Sequence, residues 1–592
     1  MIVPFFCEAF IGAAFLALSV FSNAAAASIG TDATNNSQPN IIFILTDDQD
    51  VQMGSLDYMP FLKQHMIDQG TTYNKHYCTV SLCCPSRVSL WTGKAAHNTN
   101  VTDVQPPYGG YKKFVDQQLN TNYLPVWLQE AGYATYYVGK LFNTHTILNY
   151  NDPYAGGWDG NEFLLDPFQY SYLSPVFQHN HDNYTAYPGQ YVTDLVANFS
   201  FGFLEQGIQS QKPFFLTIAP IAPHAEVTVD SYDPATGKVS ATFSAPIPAA
   251  RHEDLFPDAE VPRTLNFNPD EATGVSWVKQ LEQLNDSQIA YNDDWYRKRL
   301  QALQAVDEMI DELFTRLENE NLLDNTYIFY SGDNGFHISQ HRLGPGKTCG
   351  IETDLNVPLI VRGPGIAKGA SVDFPTTHTD LAPTILDLAK APTRPDFDGA
   401  IINLVDGTYS GAIRQEHVNV ETWFLRNPNE GPLGIDEPEA VDNTFKGLRL
   451  ISDEYDLYYS VWCTNEYELY NMTSDPYQMT NLFLDGFPAN GSCSDSTTKL
   501  ASRLDGLMMV LKSCQGDVCR NPWGQLDSSG SISSFSDAMD GKYDDLFENQ
   551  LPRVSYSSCE AGYIVSAEGP QFSSSMLQSE GGVGDPTWAM RT

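Results

Sequence analysis

Basic residues are scarce in this chain of 592 residues: 33 Lys and Arg stand against 73 Asp and Glu, a formal net charge of −40. No local cluster of Lys or Arg relieves the deficit. A surface of that sign repels nucleic acid and anionic membranes, so neither is an expected partner. Long apolar runs are missing as well. The one candidate lies near the start, from about Phe10 to Phe21, and is short for a bilayer span. Its flank even lacks the usual Lys or Arg. No internal repeat is evident, which sets repeat architectures aside.

What is present describes a large secreted globular protein. A hydrophobic fraction of 42% with 12% aromatics suits an ordinary core, and the length suits two packed units. Residues 1–27 read as a signal peptide, the apolar stretch being followed by Asn23-Ala24-Ala25-Ala26-Ala27. The expected location is therefore outside the cell, in the periplasmic space or at the cell wall. Glycosylation sequons at Asn35, Asn100, Asn183, Asn198, Asn285, Asn471 and Asn490 agree with export. So does the cysteine content. Setting aside Cys7 in the leader and Cys83, discussed below, leaves an even set: Cys78, Cys84, Cys349, Cys463, Cys493, Cys514, Cys519 and Cys559. Cys514 and Cys519 flank a short loop that a local disulfide could close; other pairings stay open.

From Asn40 the chain alternates apolar runs with helical stretches. Ile41–Leu45, Tyr133–Val138, Phe214–Ile218, Tyr327–Tyr330 and Val357–Val361 are apolar throughout, the pattern of strands buried on both faces. Between them the clearest helix covers about Asp294 to Glu320, with Leu300, Leu303, Val306, Ile310, Leu313 and Leu317 at helical spacing. This predicts an α/β fold, a mainly parallel sheet sandwiched by helices, over residues 38–399. Shorter strand-like pieces and a helix over Thr498–Leu511 predict a smaller α+β subdomain over 400–522. Residues 523–592, rich in Ser and Gly, read as a partly disordered tail.

Ligands in open α/β sheets bind beyond the carboxyl ends of the strands. The apolar runs deliver Asp47, Asp48, Lys140, His224, Asp333 and Asn334 there. A single Asp pair or Asp-Asn-Gly turn says little, but several runs ending alike in charged or ligand-type residues say more. Asp47, Asp48, Asp333 and Asn334 together offer oxygen donors suited to a hard cation such as Ca²⁺ or Mg²⁺, whereas zinc favours His or Cys. A separate signal is Cys83-Cys84-Pro85-Ser86-Arg87-Val88-Ser89-Leu90-Trp91-Thr92-Gly93. Its proline can open a helix, placing Cys83 at a helix N-terminus where an anion is favoured.

That run resembles the signature of the formylglycine-dependent sulfatases, Cys-x-Pro-Ser-Arg-x-x-x-Leu-Thr-Gly, with Trp91 where leucine is usual. The likeness continues through Thr46-Asp47-Asp48-Gln49-Asp50, Gly139-Lys140, Pro223-His224, Ser331-Gly332-Asp333-Asn334-Gly335 and Lys347 to Val357-Pro358, in the family's order. It covers most of residues 40–399. The chain looks nearest to fungal secreted arylsulfatases and glucosamine-6-sulfatases. The resemblance implies an alkaline-phosphatase-like fold and oxidation of Cys83 to formylglycine by a formylglycine-generating enzyme. It also implies one Ca²⁺ on Asp47, Asp48, Asp333, Asn334 and the formylglycine. Arg87 would hold the formylglycine, and Lys140, His224 and Lys347 would contact the sulfate.

The implied activity is an arylsulfatase, splitting small aryl sulfates into a phenol and sulfate for sulfur acquisition. The −40 charge favours small esters over sulfated glycans, the N-acetylglucosamine-6-sulfatase alternative. A phosphate or phosphonate monoesterase, or an inactive secreted binding protein, fits Cys83 and Arg87 less well. One departure stands out. Many sulfatases carry a histidine two residues after the lysine matching Lys140, and Phe142 stands there. His76, His97, His145, His337 and His341 are the candidates to replace it as a base, His337 and His341 first.

Overall fold

Asn40–Thr46 is the central strand of the computed structural model, and its composition explains the architecture around it. Every residue of it is buried. Side chains alternate across a sheet, so Ile41, Phe43 and Leu45 enter one core while Ile42 and Ile44 enter another. Its neighbours split likewise: Phe215 and Phe329 join the first core, Leu216, Ile218, Ile328 and Tyr330 the second. Described are residues 38–233, 238–409, 416–431, 441–487, 496–527 and 530–573. The leader, Asn35, Asn490 and Cys493 lie outside them.

The sheet has ten strands. At its centre, Asn40–Thr46 pairs in parallel with Thr326–Gly332 on one side and Phe214–Ala219 on the other. Phe214–Ala219 in turn pairs in parallel with Ala134–Gly139. Away from the centre, Leu359–Arg362 runs antiparallel to Thr326–Gly332, and Val176–His179 antiparallel to Gly160–Leu164. Helix Asp286–Asn319 covers the second face with Leu303, Val306, Ile310, Leu313 and Leu317. It starts earlier than its apolar spacing indicates because Asn285 and Gln288 form a capping box. Helix Cys83–Thr92, buried along its whole length, packs on the first face through Cys84, Val88, Leu90 and Trp91.

The C-terminal unit is a four-stranded antiparallel sheet: His417–Phe424, Asn443–Ile451, Asp456–Trp462 and Tyr467–Asn471. Helix Ser496–Leu511 covers one face, packing Leu504, Leu507 and Met508 against Leu448, Leu450, Tyr459 and Val461. The other face presents Val418, Val420, Phe445 and Tyr458 to Tyr77 and Leu355 of the catalytic unit. Within the stretch from 523 that the sequence reads as a partly disordered tail, residues 530–573 are packed. Trp523, Leu526, Ile532, Phe535, Phe547, Leu551 and Val554 fill the same core as the helix, and Cys463–Cys559 ties the segment to the sheet. Scattered apolar residues suffice when a ready-made surface receives them; the Ser/Gly content masked them.

The cysteines divide by location. Cys514–Cys519 is a disulfide, as its spacing allows. Cys78, Cys84 and Cys349, grouped by sequence with the disulfide candidates, are instead buried thiols without a sulfur partner. Of the described sequons, Asn183, Asn198, Asn285 and Asn471 are exposed and Asn100 is half-buried. No described helix is long and apolar enough to cross a membrane.

A buried ionic cluster joins the two units. Glu421, fully buried, accepts from His97 Nδ1 at 2.5 Å and from Lys446 Nζ at 2.9 Å. Burial works against the Glu421 charge, but His97 and Lys446 outweigh it and hold the carboxyl down to about 2. Its stabilising contribution is therefore complete above the unfolded value of 4.5 and lost as the pH falls through about 2. Glu421→Ala should cost about 3–5 kcal/mol, because buried His97 loses its counter-charge and Lys446 keeps only Glu568 at 3.6 Å. Urea unfolding at neutral pH checks this; a loss under about 1 kcal/mol would contradict the pairing.

Candidate active site

Three parallel strands of the central sheet and one helix converge on a single buried cluster. Asp47 and Asp48 follow Asn40–Thr46, Asp333 and Asn334 follow Thr326–Gly332, and Lys140 follows Ala134–Gly139. Backbone hydrogen bonds fix the ends: Asp333 N donates to Thr46 O at 3.0 Å and Lys140 N to Ala219 O at 3.0 Å. Gly139, at φ +108°, permits that approach, since a Cβ there would lie 2.0 Å from Ala219 O. Asp48 sits in the left-handed region at φ 63°, and its amide donates to Asp333 Oδ1 at 2.9 Å. That bond helps hold an uncommon conformation for a residue with a Cβ.

Cys83 opens helix Cys83–Thr92, after the extended Leu82. Its Sγ lies 3.5 Å from Asp47 Oδ1, 3.8 Å from Asp48 Oδ1 and 3.3 Å from Lys347 Nζ. Burial pushes the thiol well above its usual range. One turn on, Arg87 points back into the cluster. Its Nε donates to Asp333 Oδ2 at 2.7 Å, and its guanidinium reaches Lys140 O and, at 3.5 Å, Asp47 Oδ2. Ser86 Oγ donates to Asp333 O and meets His378 Nδ1 at 2.8 Å. The i+3 and i+4 positions of one helix thus brace Asp333, Ser86 through its backbone carbonyl and Arg87 through its carboxylate.

Two lysines complete the arrangement. Lys140 Nζ lies 2.5 Å from Asp47 Oδ2, and Lys347 Nζ lies 2.6 Å from Asp48 Oδ1 and 2.9 Å from Glu430 Oε1. Burial disfavours both ammonium groups. For Lys140 the neighbouring negative groups, Asp47 foremost, together outweigh this; for Lys347, Asp48 foremost with Glu430 and Asp47, they do so as well, and both pKa values are raised. Asp47 is itself held below the ordinary carboxylate range: burial opposes its charge, and Lys140, His224 and Arg87 prevail. His224 differs. Burial, then Lys347, lowers it to about 4, so the ring is neutral at pH 7. Its Nδ1 donates to Ala225 O at 2.8 Å, leaving Nε2 facing Asp48 Oδ2 at 3.6 Å.

By formal charge Asp47, Asp48, Asp333 and Glu430 face Arg87, Lys140 and Lys347, leaving one negative charge unbalanced. Asn334 Oδ1 is buried without a hydrogen-bond partner, while its Nδ2 donates to Asp48 Oδ1 at 2.8 Å. An orphaned amide oxygen among carboxylates is the donor set of a hard cation. Ligand atoms of Asp47, Asp48, Cys83 and His224 lie within 4.8 Å of one another. The residues present therefore fit a divalent ion.

The cluster brings together Asp47, Asp48, Cys83, Arg87, Lys140, His224, Asp333, Asn334 and Lys347. The candidate replacement bases are placed elsewhere. His337 Nδ1 meets Asp354 at 2.9 Å, and His341 Nδ1 meets Thr273 Oγ1 at 3.1 Å. His97 is taken by Glu421, His145 stacks near Tyr111, and His76 pairs with Thr376. None of the five hydrogen-bonds to Cys83, Lys140, Lys347 or Asp333. Phe142 is turned into the core against Phe114. Glu430 and Tyr170 were not visible as site residues. Glu430 follows no apolar run, and Tyr170, stacked on His224 at 4.0 Å with Lys140 over its ring, lies in an irregular stretch. Above the cluster opens a cavity of about 710 Å³, with Cys83, His224 and Lys347 in its lining.

A mainly parallel sheet with a buried cation-type site and a cysteine at a helix start defines a hydrolase of the alkaline-phosphatase-like class. The chain belongs to the sulfatase family, whose sequence profile, described as Sulfatase, matches residues 39–391. It is a sulfuric ester hydrolase. Over 555 residues it is 35% identical to an arylsulfatase of Volvox carteri, covering 89% of this chain and 83% of the relative. It is 30% identical over 523 residues to the N-acetylglucosamine-6-sulfatase of Homo sapiens, covering 83% and 87%. A solved structure of a protein in complex with its substrate D-glucosamine-2-N,6-O-disulfate superposes with a TM-score of 0.61 at 22% identity. That match covers 76% of this chain and 94% of the other.

Removing Asp333 should disturb both halves of the cluster, since its carboxylate meets Arg87 and the amides of Asp48 and Asn334. Asp333→Ala should lower bound divalent metal and turnover together, by elemental analysis and activity assay. Stoichiometric zinc in the purified native protein, without calcium or magnesium, would refute the oxygen-donor assignment.

Proposed function

We propose that the chain is a secreted arylsulfatase that depends on one Ca²⁺ and on formylglycine made from Cys83 by a formylglycine-generating enzyme. The observation that carries this reading is the position of Cys83, a first helical residue between Lys347 and the Asp47–Asp48 pair at the floor of the cavity. Asp47, Asp48, Asp333, Asn334 and residue 83 would hold the ion, and calcium suits the predominance of oxygen donors. The aldehyde hydrate would supply the nucleophile, and the cation would offset charge on the sulfate oxygens.

The chain's own residues have separable tasks. Lys140 and Lys347 bind the sulfate oxygens, where their charges count most because water is excluded. Asp333, held by Arg87, accepts a proton from position 83. Lys347, kept cationic by its carboxylate neighbours, stands at the mouth of the cluster and donates to the departing oxygen. His224 orients the ester through its ring against Tyr170. A phenolate leaves readily and asks little of that acid, which suits a site lacking a histidine at 142.

Two observations support aryl esters over sulfated glycans: the curated arylsulfatase relatives and the net charge of −40. Acidic surface repels a long polyanion along its length, and salt screens this only beyond about 8–10 Å. The relatives named N-acetylglucosamine-6-sulfatase keep the glycan reading as the alternative. Secretion and glycosylation at the exposed sequons belong to the same proposal. Nitrophenyl sulfate should show a higher kcat/KM than an oligosaccharide ending in glucosamine-6-sulfate. Cys83→Ala should abolish turnover while leaving the unfolding transition in place. A wide preference for the oligosaccharide would replace this reading with the glycan one.

A further inference from the structure

The cavity above Cys83 has an apolar wall that the catalytic cluster does not use. Glu226–Asp233 and Lys238–Ser244 form a two-stranded antiparallel hairpin that joins no other sheet. It begins two residues after His224, and Glu226 anchors its base by accepting the Tyr172 amide at 2.7 Å. Its side chains alternate. Val227, Val229, Ala241 and Phe243 pair across one face, while Thr228, Asp230 and Thr242 lie on the other, where Thr242 Oγ1 donates to Asp230 at 3.0 Å. A register shift between Ser240 and Ala241 makes Asp230 an extra residue, so Tyr232 comes opposite Val239 on the apolar face.

That apolar face lines the cavity through Val227, Tyr232, Val239, Ala241 and Phe243. Ordinarily such a face is covered by protein. Here Val239 stays 40% and Phe243 37% exposed, and Leu148, on the same cavity, 51%. Three of the eleven large apolar side chains left exposed among the described residues therefore line this one cavity. An exposed apolar concentration next to a reactive centre marks a ligand surface. The charges agree. The only Lys and Arg of the lining, Lys347 and Arg426, are already paired, Lys347 with Asp48 and Glu430 and Arg426 with Asp103 at 2.6 Å. Nothing in the lining offers a free cation to a second sulfate.

We propose that the Glu226–Ser244 hairpin is the wall against which the organic part of the substrate packs, with Tyr232, Val239 and Phe243 selecting an apolar, singly sulfated ester. This rests on the arylsulfatase reading and adds the residues that impose it. Contacts of this kind are made equally in the bound substrate and in the transition state, so they set KM and leave kcat alone. Val239 and Phe243 are exposed on a separate hairpin, so polar substitutions there leave the folded core untouched.

The test compares the native enzyme with Val239→Ser/Phe243→Ser on nitrophenyl sulfate, methylumbelliferyl sulfate and glucosamine-6-sulfate, with inhibition by inorganic sulfate measured alongside. Expected is a rise of about ten-fold or more in KM for both aryl esters at unchanged kcat. The same variant should keep its KM for the sugar ester and its inhibition constant for sulfate within about two-fold. An unchanged aryl KM, or equal losses on all three esters, overturns the wall. A native preference for glucosamine-6-sulfate overturns the arylsulfatase reading instead, and the two failures are read from different columns of the same experiment.

Discussion

A pocket holding four carboxylates against three cations, nearly all without access to water, is the constraint on which this structure depends. Asp47, Asp48, Asp333, Arg87 and Lys140 are all fully buried. Unpaired, any one of these charges would cost several kcal/mol to bury. Pairing them is therefore a condition of folding as well as of catalysis. The pairing is nonetheless incomplete, one negative charge in excess, and a monoanionic sulfate ester would double the excess. A divalent cation removes both at once. The same imbalance that makes the cluster costly to bury suits it to a metal and substrate together.

The rest of the fold is arranged to hold that pocket still. Strands apolar on both faces put their polar ends at one edge, because two cores leave no room for charge anywhere else along them. Helix Cys83–Thr92 lies entirely in the first core, with Trp91 against Phe43 at 5.3 Å, so Cys83 and Arg87 cannot drift. The C-terminal unit contributes more than support: the end of its first strand supplies Phe424 to the cavity and the stretch after it supplies Glu430. Its own attachment is ionic as well as apolar, through Glu421, His97 and Lys446, and through Arg449 with Glu352 and Asp456. His97 thus joins the two units through Glu421.

The catalytic half was largely legible in the sequence. Continuous apolar runs ending in Asp, Lys or Asn fix both strand and site by one pattern, and Asp47, Lys140 and Asp333 follow three of the four parallel strands at the sheet's centre. Val357–Val361 carried the same pattern yet its strand runs antiparallel, since burial on both faces says nothing of direction. The histidines were illegible for a related reason. Titratable type and nearness in sequence placed His337 and His341 by the metal residues, but both side chains turn to Asp354 and Thr273. Glu430 and the packed segment after Trp523 depend on contacts distant in sequence, for which local pattern holds no signal. The hairpin went unread although Lys238-Val239-Ser240-Ala241-Thr242-Phe243-Ser244 alternates strictly, because only the cavity gives that alternation a purpose.

The central claim is that residue 83 is an aldehyde when the enzyme is active. As a thiol it is buried, raised well above its usual pKa and a poor nucleophile in that setting. Peptide mass spectrometry of active, secreted protein tests this directly by measuring the fragment that contains Cys83 and Arg87. The account predicts the mass of formylglycine at position 83, in proportion to specific activity across preparations. Full activity with an unmodified cysteine in that fragment would contradict it.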